Sequence, residues 1–253
     1  MEGQKMQLTE LSDYIGRLLD VSRFRDYCPN GIQVEGRAEV RRIATGVTAS
    51  QRMLDAATAW QADAIIVHHG YFWKNEDATV TGIKKRRLAH LLQNDMSLLA
   101  YHLPLDAHPE LGNNAQLAQL LGLRDSGRFG EQDIAWYGEL LQPQTLNKFV
   151  EHIAHTLQRT PLVIGDRARM LRKIAWCSGA AQGYFEQAIA LGVDAFLTGE
   201  ISEQNVHVAE ETGVAFISAG HHASERYGVK ALGEHLSQRF KIEQRFFDMD
   251  NPV

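Results

Sequence analysis

An internal repeat restricts this chain more than any other feature. Residues 42–70 lie over residues 173–201 without a gap, and Ile43/Ile174, Ala44/Ala175, Ala49/Ala180, Gln51/Gln182, Ala57/Ala188, Ala59/Ala190, Asp63/Asp194 and Ala64/Ala195 are identical. In the first copy, residues 42–47 read as a strand, and Ser50 opens a helix carrying Met53, Leu54, Ala57 and Trp60. Residues 64–67 form a continuous apolar run ending in His68-His69-Gly70. Such a run suits a buried parallel strand, and open α/β sheets place their sites at the carboxyl ends of those strands. Both copies continue through a helix-like stretch into another apolar strand, at residues 97–101 and 214–218, and then into a His-rich loop followed by a helix. The pattern predicts an α/β fold: two related α/β lobes about a pseudo-twofold axis, residues 1–126 and 127–253, packed together.

Further elements fit this frame. Leu8, Leu11, Ile15, Leu18 and Leu19 share one helical face, and Pro29-Asn30-Gly31 signals a turn. Between the copies, residues 135–141 read as a strand and residues 145–158 as a helix. The 253 residues suffice for one large domain or two small ones, and 44% apolar with 23% charged residues excludes a disordered or fibrous chain. No apolar run approaches the roughly 18–20 residues of a membrane span, and the first residues lack a signal peptide's apolar stretch. A cytoplasmic protein with no membrane partner is expected. A net charge of −5 counts against a general nucleic-acid binder.

Three polar clusters stand where apolar strands end: His68-His69, His102 with Asp106, and His221-His222 with Glu225. Imidazole and carboxylate donors without thiolate suit zinc, iron or manganese. Adjacent histidines point to opposite sides if a strand continues, but both can face one cavity where the backbone turns. His221 and Glu225, four apart, share a face on a first helical turn, and a carboxylate so placed can bridge two cations about 3.5–4 Å apart. Singly, each piece has a plainer reading. A histidine pair can cap a strand, Asp106 can be a turn residue, and Glu225-Arg226 can be a surface ion pair worth under about 1 kcal/mol. The recurrence of all three clusters at equivalent topological positions favours a dinuclear site. By contrast, His152 with His155 and the run Lys84–Arg87 read as solvated helix faces, and Asn113-Asn114 as a helix cap. Neither Cys28 nor Cys177 has a histidine at a recognisable spacing, which disfavours a thiol nucleophile. Phosphate-cradling loops, dinucleotide fingerprints and Gly-x-Ser-x-Gly are absent.

The segments GVTAS (46–50), DAIIVHHGYFW (63–73), HLPLDAHPELGNNAQLA (102–118), DAFLTGE (194–200) and AGHHASERYG (219–228) resemble the NIF-three-like proteins, the GTP cyclohydrolase 1 type 2 homologues. The likeness covers nearly the whole chain and is greatest to the short bacterial YbgI-type members, which lack the inserted domain of longer ones. It implies two α/β lobes with a di-metal site between them, assembled as a toroidal homohexamer. Carried over motif by motif, it implies that His68 and Asp106 hold one metal, His69 and His221 the other, and that Glu225 bridges them. His102 and His222 would stand outside the ligands, orienting ligands or substrate, with Glu225 and His102 as the catalytic pair. The expected function is that of a metal-dependent hydrolase with two divalent ions per chain, activating water against a small polar or nucleotide substrate. The alternatives are a non-catalytic metal-binding ring scaffold, and a ring that encircles nucleic acid with Lys84–Arg87 lining the hole; the acidic net charge counts against the last.

Overall fold

The repeat survives in the strand register. In a computed structural model of the chain, which describes residues 5–253, Ile43 of strand Arg42–Thr48 pairs with Ala64 of strand Ala64–His69. Ile174 of strand Met170–Trp176 pairs with Ala195 of strand Ala195–Thr198 in the same parallel sense. The aspartates conserved between the copies do the same work in each. Asp63 Oδ2 accepts the backbone N–H groups of Arg41 and Arg42 while Oδ1 takes the Arg37 guanidinium at 2.8 Å. Asp194 Oδ2 accepts those of Arg172 and Lys173, with Arg169 at 3.4 Å from Oδ1. Each carboxylate staples one strand to the loop before the next.

The chain packs as two units. Unit 1 comprises Met1–Leu105 and Gly228–Asp250. Its five-stranded sheet runs, in spatial order, Glu243–Phe246, Arg42–Thr48, Ala64–His69, Ser97–Ala100 and Gly31–Val34, the last antiparallel and the others parallel. Helices Leu8–Leu18, Gln51–Ala59 and Gly82–Gln93 accompany it. Ser50 accepts the Met53 N–H as the cap its sequence promised, and Met53, Leu54 and Ala57 enter a core with Ile65, Val67, Leu98 and Ala100.

Unit 2 comprises Asp106–Tyr227 and Asn251–Val253. Its six strands lie in the order Leu123–Phe129, Ala135–Thr145, Met170–Trp176, Ala195–Thr198, Ala215–Ser218 and Leu162–Ile164. The central three are parallel, and an antiparallel strand follows the third, as in unit 1. Helix Leu146–Leu157 buries Leu146, Phe149, Val150 and Ile153 against one face, with Thr145 as its cap. On the other face Phe185, Phe196 and Phe216 form edge-to-face and stacked pairs 4.9–6.0 Å apart, each worth about 0.5–1.5 kcal/mol beyond its burial.

Two stretches group differently from a single break near residue 126. Residues 106–126 pack with unit 2 because Leu117, Ala118, Leu121 and Leu123 belong to its core. Residues 228–250 return to unit 1 because strand Glu243–Phe246 adds to its sheet edge, and Tyr14 meets His235 at 2.7 Å. Helix His221–Phe240 therefore contributes its first residues, up to Tyr227, to unit 2 and the remainder to unit 1. Among the described residues no helix is long and apolar enough to cross a membrane.

Candidate metal centre

In unit 1 the strand Ala64–His69 continues through both histidines instead of turning at the first. Each ring is held from a different side, by Tyr101 just past one neighbouring strand and by Thr48 at the end of the other. His68, with no exposed surface, donates Nδ1–H to the Tyr101 carbonyl oxygen at 3.0 Å. His69 Nδ1 meets Thr48 Oγ1 at 3.2 Å. His102, just past the next strand, donates Nδ1–H to Asp26 Oδ1 at 2.7 Å. The ring centroids of His68, His69 and His102 lie 4.6, 5.0 and 5.7 Å apart, and the three can offer ligand nitrogens within 4.8 Å of one another. Trp73 stands edge-on to His102, with 5.0 Å between centroids.

Asp26 is the fixed point of this half. Its Oδ1 also accepts the Tyr27 N–H, while Oδ2 accepts from Asn30 Nδ2 at 2.8 Å and from the Leu103 N–H at 2.9 Å. Burial would raise its pKa; the His102 hydrogen bond and charge, with the Asn30 and Tyr27 bonds, outweigh that and lower it from 3.8. The stability it contributes is present above the unfolded value and lost as pH falls through the folded one. Asp26→Asn should therefore flatten the acid limb of stability; urea midpoints across that range that fall as steeply as in wild type would contradict this. Cys28 lies close enough to Asp26 and His102 to share a ligand group, a pairing its spacing concealed. Burial, then the Asp26 charge, pushes its thiol up to about 12, so it is no nucleophile.

In unit 2, Asp106 sits in the short helix Leu103–Ala107 and is 5% exposed. Its Oδ1 accepts from Asn113 Nδ2 at 2.8 Å and from Ser178 Oγ at 2.7 Å. Asn114 bonds Ser178 N–H through Oδ1 and donates Nδ2 to the Ile134 carbonyl. The two asparagines are thus buried struts. The cap position of helix Asn113–Leu121 is Gly112, with no side-chain cap, which corrects the cap reading.

His221 and Glu225 occupy the first turn of helix His221–Phe240, with Nε2 and Oε2 3.2 Å apart. His221 Nδ1 lies 2.7 Å from Glu200 Oε1. Burial alone would lower the His221 pKa, but the hydrogen bonds and charges of Glu225 and Glu200 push it up to about 9. The ring is therefore cationic at neutral pH and must shed a proton before Nε2 can ligate a metal. Glu225 is 2% exposed, which disposes of the surface ion-pair reading. Gly179 (φ +66) faces it, and a Cβ there would overlap Glu225 Oε1. His222 is buried, its backbone N–H donating to the Val253 carbonyl.

The donors fit a divalent cation. Wherever the Nδ1 partner is a carbonyl or carboxylate, at His68, His102 and His221, the ring must donate through Nδ1 and so presents Nε2. That is the outer arrangement metal-bound histidines show. The remaining candidates stay plain: Lys84 pairs with Glu76, and His152 bonds the Leu120 carbonyl on an exposed helix face. Sequence reasoning passed over Asp26, Glu200 and Ser178, and it reads Asn113 as a cap. Of these, Glu200 carried a signal, because it is the repeat equivalent of His69.

The chain is similar to known proteins over nearly its whole length. The family model described as Duf34/NIF3 (NGG1p interacting factor 3) matches residues 6–252. A Pseudomonas aeruginosa protein named GTP cyclohydrolase 1 type 2 homolog is 56% identical over 249 residues, covering 97% of this chain and 98% of its own. A Vibrio cholerae protein of the same name is 50% identical and is matched over its whole length by 98% of this chain. Among solved structures, the protein ybgI superposes with a TM-score of 0.95 at 48% identity, covering 98% of this chain and all of its own. A Thermus thermophilus protein does so with 0.90 at 33%, with the same coverage.

Proposed function

We propose that this chain, which belongs to the Duf34/NIF3 family, is a metal-dependent hydrolase whose dinuclear site activates water against a small polar or nucleotide substrate. The observation that carries the reading is the common restraint on Nδ1, by which His68, His102 and His221 each leave Nε2 as the ring nitrogen for ligation. Three histidines and two carboxylates as ligands, with His102 beside them, suit ligation better than a structural role. In this reading His68 and Asp106 would hold one ion and His69 and His221 the other, with Glu225 as the ligand they would share. Zinc, iron and manganese all accept that donor set. Two such ions would polarise a carbonyl or phosphoryl oxygen and lower the pKa of water from about 15.7 toward about 7.

The chain's own residues do the rest. His102, tied through Nδ1 to Asp26, has Nε2 as its remaining proton acceptor and takes the proton from the attacking water. Asp26 keeps the ring in that tautomer. Trp73, edge-on to His102, walls the approach. Asn113 and Ser178 keep the Asp106 carboxylate from rotating. The relatives' name suggests a guanine nucleotide as substrate; phosphoester hydrolysis would use the same groups.

Chelator-stripped and metal-reloaded protein, assayed against nucleoside triphosphates and phosphoesters, tests the reading. Turnover that appears only after reloading supports it. Bound metal without turnover on the whole panel would favour the ring-shaped metal-binding scaffold. A homohexamer is part of the proposal through the family, and light scattering of a monomer would contradict that part.

A further inference from the structure

The two copies of the repeat differ most where they should be most alike. At the strand ends of unit 1 stand Thr48, His68 and His69; the aligned residues of unit 2 are Gly179, Gly199 and Glu200. Thr48 and His69 are register partners across two parallel strands, and the threonine hydroxyl restrains the ring. In unit 2 the threonine has become a glycine whose absent Cβ leaves room for the Glu225 carboxylate. The first histidine has become Gly199, where a Cβ would come 2.6 Å from His221 Cα and 2.7 Å from the Gly179 carbonyl oxygen. The Gly199 carbonyl also accepts the Gly220 N–H at 3.0 Å and the Ser218 hydroxyl at 2.9 Å. Both glycines admit the first turn of helix His221–Phe240 close against the strand ends.

The third position is Glu200. Its Oε1 lies 2.7 Å from His221 Nδ1, the same distance as Asp26 from His102 in unit 1. His102 with Asp106 and His221 with Glu225 are themselves equivalent, each four apart at the strand-to-helix junction that follows the third parallel strand. Unit 1 draws the carboxylate for its histidine from residue 26, outside the repeat. Unit 2 draws it from the position that supplies a ligand in unit 1. One strand end has thus been recast from a supplier of metal ligands into a socket for a ligand-bearing helix.

We infer that Glu200 is a positioning residue for His221, holding Nδ1–H so that Nε2 is presented in one tautomer and one orientation. The inference rests on the metal reading above. The carboxylate is not itself required to touch the ion, so an amide oxygen that accepts the same N–H should serve nearly as well.

The test is zinc binding by the full chain, titrated in competition with a chromophoric chelator, for wild type, Glu200→Ala and Glu200→Gln. Outer partners of ligating histidines are worth about 10–100-fold in affinity, so Glu200→Ala should weaken one of the two equivalents by that factor and spare the other. Glu200→Gln should recover most of the loss. The cobalt(II) visible spectrum should change in the alanine variant and return in the glutamine one. Metal-free melting temperatures guard against misfolding, since a merely structural role would lower them without separating the two equivalents. The inference is overturned if Glu200→Ala binds both equivalents as tightly as wild type. It is equally overturned if Glu200→Gln falls as far as Glu200→Ala, because charge or direct ligation would then be at work. A wild-type chain that takes up no second equivalent overturns the dinuclear reading and this inference together, and it does so before any variant is compared.

Discussion

Glu225→Ala protein is expected to lose its metal while keeping its fold. In the proposed site Glu225 is the one residue shared by both ions, so removing it would delete a bond to each. The affinity loss should exceed the roughly 10–100-fold that accompanies loss of an outer partner alone. The fold should survive for an electrostatic reason. Breaking a buried ion pair costs about 3–5 kcal/mol when it strands a charge. His221 is not stranded, because its side chain keeps 27% exposure, retains Glu200, and can release the proton that the two carboxylates hold on it. Glu225→Gln, which keeps the volume, separates the charge from the packing. Elemental analysis with far-ultraviolet circular dichroism and thermal melting reads all of this. A folded Glu225→Ala protein that retains wild-type metal would remove Glu225 from the site.

Gly179→Ala is the second large effect, and it reaches the same carboxylate from the other side. A left-handed backbone at a non-glycine residue costs about 1–2 kcal/mol, and Gly179 has φ +66. At about 2–4 °C per kcal/mol for a chain of this size, that alone lowers the melting temperature by about 2–8 °C. The new methyl would also overlap Glu225 Oε1 and approach His221 Nε2 to 3.4 Å. The carboxylate is buried and the helix behind it is packed, so it must swing out of its ligating position. Metal content should therefore fall with stability. Gly183→Ala is the control: nothing lies within 4 Å of its built Cβ, and a surface change of that kind stays within about ±0.5 kcal/mol. Wild-type metal affinity in Gly179→Ala would show that the Glu225 position seen here does not matter for binding.

The architecture was readable because its core strands are buried on both faces. Ala64–Val67 and Ala195–Leu197 are continuous apolar runs, and the ungapped repeat reappears as the same parallel register in both sheets. The ligand candidates were readable because histidine and carboxylate at a strand end have no packing reason to recur. What escaped was the set of residues that act through others. Asn113 and Asn114 look like caps, since asparagine before a helix usually is one; only burial shows that their amides are spent on Asp106, Ser178 and Ile134. Asp26 lies outside the repeat and has no periodic signal, so its bond to His102, 76 residues away, arises only on folding. The passage of the strand through His69 was hidden because the pull on each ring comes from Thr48, on one neighbouring strand, and from Tyr101, just past the end of the other. Chain order alone groups residues 106–126 with the first lobe, whereas Leu117 and Leu121 fill the core of unit 2.

The most direct measurement is metal content per chain by elemental analysis, on wild-type protein purified without chelator or added metal. The account predicts about two equivalents of zinc, iron or manganese, the number a two-cation site requires. A chain that stays essentially metal-free, and is not restored by adding these ions, would contradict it.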